Sequence, residues 1–415
     1  MQILYLALDC PLPANNGLRM RTWSCLRALR AEGCRTTLVC LRATDALPVP
    51  ADLHQACDAS WILDHSVASL SQGPHWAGRL RAAASRLPFA ARRFRSASAR
   101  ALIQQLWRSA RWDALVCDTV FAAINVPDRI QPLVVNHHNL EHRIFDSYCA
   151  IESNPLKRAA ARWESRRVRA WEAQVGARTA CNLVCSEVDQ AGLLASQPGA
   201  HVVVAPNIVP SASAAAADGA PGQILFQGAM DWLPNRDAVD FLLAEIWPRV
   251  RAQFPHARLQ LAGRNPPPAF LARHRHHPGV EFTGSVPDMA PFLAAAAVTV
   301  VPLRMGSGTR LKILEAAALG KPVVSTRLGA EGLGFRDRRE ILLADTPAEF
   351  AAAIAALLAS PQLRRELGQA ARARVQADYS LDALRRQLRI ALQSLPAAAP
   401  TTSWSAAPER AAVEI

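Results

Sequence analysis

The chain has 415 residues, 50% of them hydrophobic, and a formal net charge of +13 from 47 basic and 34 acidic side chains. That composition speaks against a disordered chain and leaves room for two domains, each with its own core. No run of about 18 uninterrupted apolar residues occurs, which speaks against a transmembrane helix; the nine cysteines are scattered without a C-x-x-C, so neither a disulfide framework nor a zinc knuckle is indicated.

The N-terminus MQILYLALDCPLP lacks the basic region and cleavage site of a secretory signal. It reads as a buried strand over residues 3–8, and the protein is expected in the cytoplasm. Further apolar runs predict strands at 36–41, 60–63, 114–117, 133–136, 183–185 and 202–205, alternating with helical stretches. This alternation predicts a doubly wound parallel sheet. Between Arg79 and Arg111 stand nine arginines and no acidic residue, mixed with Leu87, Phe94, Leu102, Leu106 and Trp107. A basic segment with an apolar stripe fits an anionic membrane surface. The same letters fit a solvated basic helix pair. Nucleic acid is not expected, since no nucleic-acid fold signature accompanies the charge.

The stretch VVNHHNLEH, residues 134–142, begins where a strand ends, the edge on which a doubly wound domain presents its functional groups. His138, or His137 beside it, could offer a neutral imidazole to a ligand or serve as a satisfied structural residue. His138, Glu141 and His142 also spell H-x-x-E-H, a zinc-peptidase pattern. That pattern belongs within a helix, and here it follows a strand directly. Ser186 and Asp189 form a capping pair for the next helix. Residues 210–222, PSASAAAADGAPG, read as a connection between domains.

Strands resume at 224–227, 259–262, 280–283 and 298–301. Residues 298–326, VTVVPLRMGSGTRLKILEAAALGKPVVST, encode a strand, a glycine-rich turn, a helix from about Thr309 to Leu319 and a second strand. Gly306 and Gly308 allow a tight turn with exposed N–H groups, and the helix adds its positive dipole end, so an anion is expected there. Arg304, Arg310 and Lys312 add charge around it, while Gly320 and Pro322 end the helix. Glu315 stands seven residues beyond Gly308, roughly 10 Å along a helix rising 1.5 Å per residue. Its carboxylate could accept from the ribose diol of a nucleoside whose diphosphate caps the helix. The alternative is a surface Glu paired with Lys312. A dinucleotide-oxidoreductase reading of Gly306-x-Gly308 is weak, because Leu311 holds the third glycine position and Ser325, Thr326 and Arg327 stand where an acidic ribose ligand is needed. A last helix is predicted at 381–395, followed by a disordered tail, 396–415.

At these residues the chain resembles the GT-B glycosyltransferases of glycosyltransferase family 4, whose donor site carries a Glu, seven residues, then a second Glu in LEAxAxGxPVV. Here the second is Glu315, in LEAAALGKPVV, and Ser307 takes the place of the first. The resemblance runs from Met1 to about Leu395. It implies an α/β GT-B architecture of two Rossmann-like domains facing across a cleft: residues 1–205 for the acceptor, 206–380 for the nucleotide-sugar donor, and a helix at 381–395 crossing back to the first. It implies that Glu315 holds the ribose and that Gly306, Ser307, Gly308 and Thr309 meet the diphosphate and donor sugar. His138, followed by Asn139 and Leu140, would face the cleft as the catalytic group. Asn16 and Gly17, in PANNGLRMR, would border the acceptor and the donor phosphate. Asn207, Ile208 and Val209 take the place of the family's Asn-Gly-Val turn, and Gly228, in FQGAMDWLPN, matches the first loop of the donor domain. Many relatives have an Arg and a Lys in that loop; this sequence has Ala229, Met230, Pro234 and Asn235, so Arg310, Lys312 and Arg264 are inferred to replace the charge.

The implied activity is retaining, metal-independent transfer of a sugar from a nucleotide-diphosphate sugar to a hydroxyl of a glycan or polyprenyl-linked acceptor, with no cofactor. The motifs are most similar to sugar transferases of bacterial exopolysaccharide clusters, including those associated with PEP-CTERM systems. Such an enzyme is expected in the cytoplasm or on the inner face of the membrane. A nucleotide-sugar epimerase of the same fold and the H-x-x-E-H zinc hydrolase are the alternatives.

Overall fold

The computed structural model describes residues 1–42, 51–65, 87–209 and 218–396. Residues 79–86 of the basic segment, 210–217 of the expected connection and the tail from 397 lie outside them. The chain forms two compact units, Met1–Asn207 with the segment from Leu381, and Ile208–Ser380.

The first unit is built on β1 (Gln2–Ala7), β2 (Arg35–Arg42), β3 (Ala59–Asp64), β4 (Ala114–Asp118), β5 (Leu133–Asn136), β6 (Cys181–Val184) and β7 (Val202–Val204). They form one parallel sheet in the order β3-β2-β1-β4-β5-β6-β7. Helices cover both faces, which is why the central strands are continuously apolar rather than alternating. On one face Leu4, Leu6, Leu115 and Val135 pack with Ile103, Val168 and Trp171. On the other, Tyr5, Val116 and Val134 meet Cys25 and Leu29 of the helix Gly17–Ala31 and Leu388 of the helix Leu381–Gln393. The C-terminal helix buries Ala383, Leu384, Leu388 and Ala391, one face at helical spacing. Arg385 and Arg389 fasten it to Glu32 at 2.9 and 2.7 Å.

In the helix Ala97–Ser109, Ile103 is buried and Leu102, Leu106 and Trp107 pack against the same core. The apolar side chains of this helix are therefore half-buried or buried against the core, while Phe89, ahead of it in the segment, is 37% exposed.

The second unit holds β8 (Gln223–Gln227), β9 (Arg258–Ala262), β10 (Val280–Gly284), β11 (Val298–Val301), β12 (Val323–Ser325) and β13 (Leu342–Leu343). These too are parallel, in the order β10-β9-β8-β11-β12-β13. Val298, Val300 and Val301 are fully buried, each such side chain contributing about 1.5–3 kcal/mol. The strand order reverses between β1 and β4 in the first sheet and between β8 and β11 in the second. At such switch points the loops leaving the carboxyl ends diverge and open a crevice for a ligand. Among the described residues no helix is long and apolar enough to cross a membrane.

Candidate functional site

In the second unit the switch point brings together the ends of β8, β9 and β11. Gly228 follows β8 and Gly263 follows β9; a Cβ on Gly263 would lie 1.8 Å from the Gly228 carbonyl oxygen, so these ends approach closely only as glycines. After β11 the chain turns through Gly306 and Gly308, at φ +122° and +77°, conformations that disfavour a side chain. Ser307 between them is buried. The Arg310 guanidinium folds back to donate to the carbonyls of Ser307 and Gly308, bracing the turn. The turn thus extends past Thr309 to Arg310, which is extended at φ −93°, ψ 98°, and the helix is Leu311–Ala318 rather than one starting at Thr309. No side chain caps its N-terminus, where the first N–H groups of a helix lack intrahelical acceptors.

Lys312 Nζ donates to Asn235 Oδ1 at 2.8 Å and lies 4.7 Å from the Phe226 ring centre. Asn235 is oriented in turn by its amide, which donates to the Ala229 carbonyl at 2.8 Å. Glu315 Oε2 accepts from Gln227 Nε2 at 2.7 Å. Glu315 is thus only partly exposed and makes no ion pair with Lys312 among the described residues, which departs from the surface-pair alternative. Burial pushes Lys312 down to about 7, reinforced by Arg310 and opposed by Glu315. Burial also raises Glu315, against the Gln227 hydrogen bond and Lys312. Both charged forms are therefore strained by lost hydration, as in a site waiting for a polar, anionic occupant. Arg304 is committed elsewhere, paired with Asp237 at 2.7 Å and stacked 4.5 Å from the Phe241 ring centre. Arg264 is 3.9 Å from Asp231, with its side chain exposed.

In the first unit Asp118 ends β4 and is fully buried. It accepts from Tyr5 Oη at 2.8 Å, Asn136 Nδ2 at 2.7 Å and His138 Nε2 at 2.9 Å, and from the Thr22 hydroxyl. Burial alone would raise its pKa; His138 and the hydrogen bonds from His138, Thr22 and Tyr5 outweigh that and hold it below the usual range. An ionised carboxylate only accepts, so His138 meets it with Nε2–H. Asn136 Oδ1 takes the guanidinium of buried Arg21 at 2.7 and 3.0 Å, and Arg21 also donates to Ala205 O at 2.9 Å and Asn207 Oδ1 at 3.0 Å. His137 pairs Nε2 with Asn182 Oδ1 at 2.9 Å; burial lowers its pKa and keeps it a neutral core group. Asn16 Oδ1 accepts from Arg19 N–H at 2.9 Å as the cap of the helix Gly17–Ala31, of which Gly17 is the first residue.

The zinc pattern separates. His138 is bound to Asp118, while His142 Nδ1 lies 2.5 Å from Glu172. Glu172 also accepts from the Glu141 N–H at 2.7 Å. Burial, with Glu172 nearby, pushes the Glu141 carboxyl up to about 8 against Asn139 and Arg93. Among the described residues no three His, Cys, Asp or Glu side chains are placed to hold a metal ion.

Sequence reasoning thus named Gly228, Lys312 and Glu315 for one site but gave no role to Gln227, or to Asn235, which it noted only as a departure in the loop after Gly228; these are their immediate partners. Gln227 carried a signal, a lone amide at the end of the apolar run before Gly228. Asp118, the centre of the first unit's network, carried a similar one, a lone acid ending ALVCD. Arg21 carried none.

Residues 221–360, all within the second unit, match the family model described as glycosyl transferases group 1. No curated protein matches the chain. Sucrose-phosphate synthase from Thermosynechococcus elongatus is similar in structure at a TM-score of 0.71 and 18% identity, over 94% of this chain and 98% of that one. A mutant TarM from S. aureus, in complex with fondaparinux, alpha-GlcNAc-glycerol and UDP, follows at 0.68 and 10%, over 94% and 99%. HepE from Anabaena, in complex with UDP and glucose, reaches 0.64 and 15%, over 95% and 100%. These likenesses carry the fold, and with the two parallel sheets they define the class: the chain has the GT-B fold and carries a glycosyl transferases group 1 segment in its second unit.

Proposed function

We propose that the protein is a retaining glycosyltransferase that moves a sugar from a nucleotide-diphosphate sugar to a hydroxyl of a glycan or lipid-linked acceptor in exopolysaccharide or cell-envelope biosynthesis, working in the cytoplasm or at its membrane face. The observation that carries the reading is the convergence, at the β8/β11 switch point, of the Gly306–Gly308 turn, the uncapped N-terminus of the helix Leu311–Ala318, Lys312 and Glu315. The segment that matches glycosyl transferases group 1 contains all of them, and the HepE and TarM structures were both solved with UDP.

In this reading the turn and helix N–H groups take the diphosphate and Lys312 becomes fully charged against it. Their dipoles and charge then stabilise the leaving diphosphate as the anomeric C–O bond breaks and the acceptor hydroxyl oxygen bonds to the same carbon, its proton passing to the departing phosphate, without reorganisation at the moment of reaction. Glu315, prepositioned by Gln227, accepts from the ribose hydroxyls. His138 is assigned the catalytic role; held at Nε2 by Asp118, its ring is fixed in one orientation and tautomer. The charge compensation so described uses side chains and backbone alone.

A thermal-shift panel of nucleoside diphosphates and nucleotide sugars tests the reading, because a ligand of the native state raises Tm by mass action. At least one should stabilise the wild-type chain. Glu315→Ala should abolish that shift while its apo Tm stays near wild type. Retained affinity in this variant would remove the ribose assignment, and no shift from any nucleotide at saturating dose would remove the function. His138→Ala should lose turnover with little change in nucleotide binding.

A further inference from the structure

We infer that the outer face of the helix Pro155–Gly176 is a docking surface for an anionic lipid bilayer. This helix carries six cations and two acids, and both acids are turned inward: Glu164 accepts from Ala90 N–H at 3.0 Å, and Glu172 holds His142. Both are buried, whereas Lys157, Arg162 and Arg166 are exposed. The solvent side of the helix therefore carries no acid of its own; Arg169 is paired with Asp146 of the preceding helix at 2.8 Å, and Arg167 stacks 4.2 Å over the Trp163 ring.

The same side is apolar where a water-soluble face would be polar. Leu156 is 80% exposed and Trp163 44%. They are seven residues apart, two helical turns, so they share one stripe, with Arg162 and Arg166 along its flank. Ile151, 39% exposed, is a further exposed apolar side chain, at the end of the preceding helix Glu141–Ile151. An exposed leucine at a helix end beside an amphipathic indole, flanked by arginines, suits the headgroup boundary: the apolar groups enter the acyl edge and the guanidinium groups stay among the phosphates. A soluble anionic polymer would use the cations but has no use for Leu156. In the Ala97–Ser109 helix, by contrast, the apolar residues are already spent on the core. Membrane capture needs only this outer face, whatever reaction the chain performs, so a negative vesicle result and a negative nucleotide result can be told apart.

The test is sedimentation of the full chain with vesicles of phosphatidylcholine alone or with phosphatidylglycerol added. Wild type should pellet with the anionic vesicles and stay in solution with the neutral ones. Leu156→Ser/Trp163→Ser and, separately, Arg162→Glu/Arg166→Glu should each lower partitioning about tenfold or more, from lost apolar insertion and lost attraction to the anionic surface. Arg100→Glu/Arg108→Glu, on the exposed side of the Ala97–Ser109 helix, should leave it unchanged. Equal recovery with both vesicle types overturns the inference. So does loss only in the Arg100/Arg108 variant, which would move the surface. Anionic binding that survives Leu156→Ser/Trp163→Ser intact, with equal binding to an anionic polysaccharide, would assign the face to a soluble polymer instead.

Discussion

Around Asp118 in the first unit, donors from two strands, a helix and a loop converge on one carboxylate and keep it ionised below the usual range; around Lys312 in the second, the charged groups are pushed toward neutrality. Both clusters sit at the carboxyl ends of parallel strands, at or beside a switch point. The first is internally complete: Tyr5, Asn136 and His138 pair with Asp118, and Arg21 ties Asn136 to Ala205 and Asn207. The second has its side chains aimed by Asn235 and Gln227 yet lacks a counter-charge for Lys312 at ion-pair distance among the described residues. A complete network rigidifies; a strained, incomplete one stores affinity for a ligand.

The largest effect that could break this contrast is on stability. Asp118→Ala would leave the Tyr5 hydroxyl, the Asn136 amide and His138 Nε2–H without their acceptor at a fully buried position. A loss of about 3–5 kcal/mol is expected from removing one partner of a buried charged network. Urea denaturation checks it, reading the midpoint at constant m-value. A loss under about 1 kcal/mol would mean the network does not hold the sheet end together. Next comes Glu315→Ala, for which nucleoside diphosphate should bind about 100-fold more weakly if two ribose hydrogen bonds to a carboxylate are lost, with stability little changed because only Gln227 loses a partner.

The contrast also explains what could be read from the letters. The unit from β11 to β12 was legible because its signals are local: four buried valine and threonine positions, glycines that alone tolerate φ of +122° and +77°, and Gly320 with Pro322 to stop the helix. The helix start was missed by two residues, since Arg310 braces the turn through carbonyls that no spacing rule reveals. β13 escaped because it is two half-buried leucines whose pairing with β12 is purely tertiary. The Asp118 network joins residues up to 186 positions apart, and no local pattern encodes that separation. The basic segment is ambiguous for the same reason: an apolar stripe has the same letters whether it faces lipid or packs with Val39 and Leu41 of a neighbouring strand, as Leu102, Leu106 and Trp107 do.

Acidity sharpens the comparison further. Folded Lys312, near 7, lies below the value of about 10.4 for an unfolded lysine. Between those values the unfolded chain binds the extra proton, so this group makes the apo protein more stable as pH rises. Ligand affinity runs the other way. A nucleotide sugar, whose two phosphates gain no proton between pH 6 and 8, should bind about tenfold more tightly at pH 6 than at pH 8, as Lys312 goes from mostly neutral to mostly charged. Calorimetric titration at the two values measures it. Lys312→Met should bind weakly and flatten the dependence, while an undiminished slope in that variant would place the titrating group elsewhere.

The smallest effect separates a cap from a ligand. Asn16 was expected at the donor phosphate, yet its Oδ1 is occupied by the Arg19 N–H at the start of the helix Gly17–Ala31. If capping is its whole contribution, Asn16→Ala costs about 1 kcal/mol of stability and Asn16→Ser almost nothing, since a serine hydroxyl reaches the same N–H. Nucleotide-sugar affinity should then stay within about twofold of wild type in both, a change of under 0.5 kcal/mol. If Asn16 instead touches the phosphate, the serine variant keeps the helix and still loses affinity. That outcome would show that the first unit's sheet end, which is otherwise self-satisfied, contributes to anion binding as well as to rigidity.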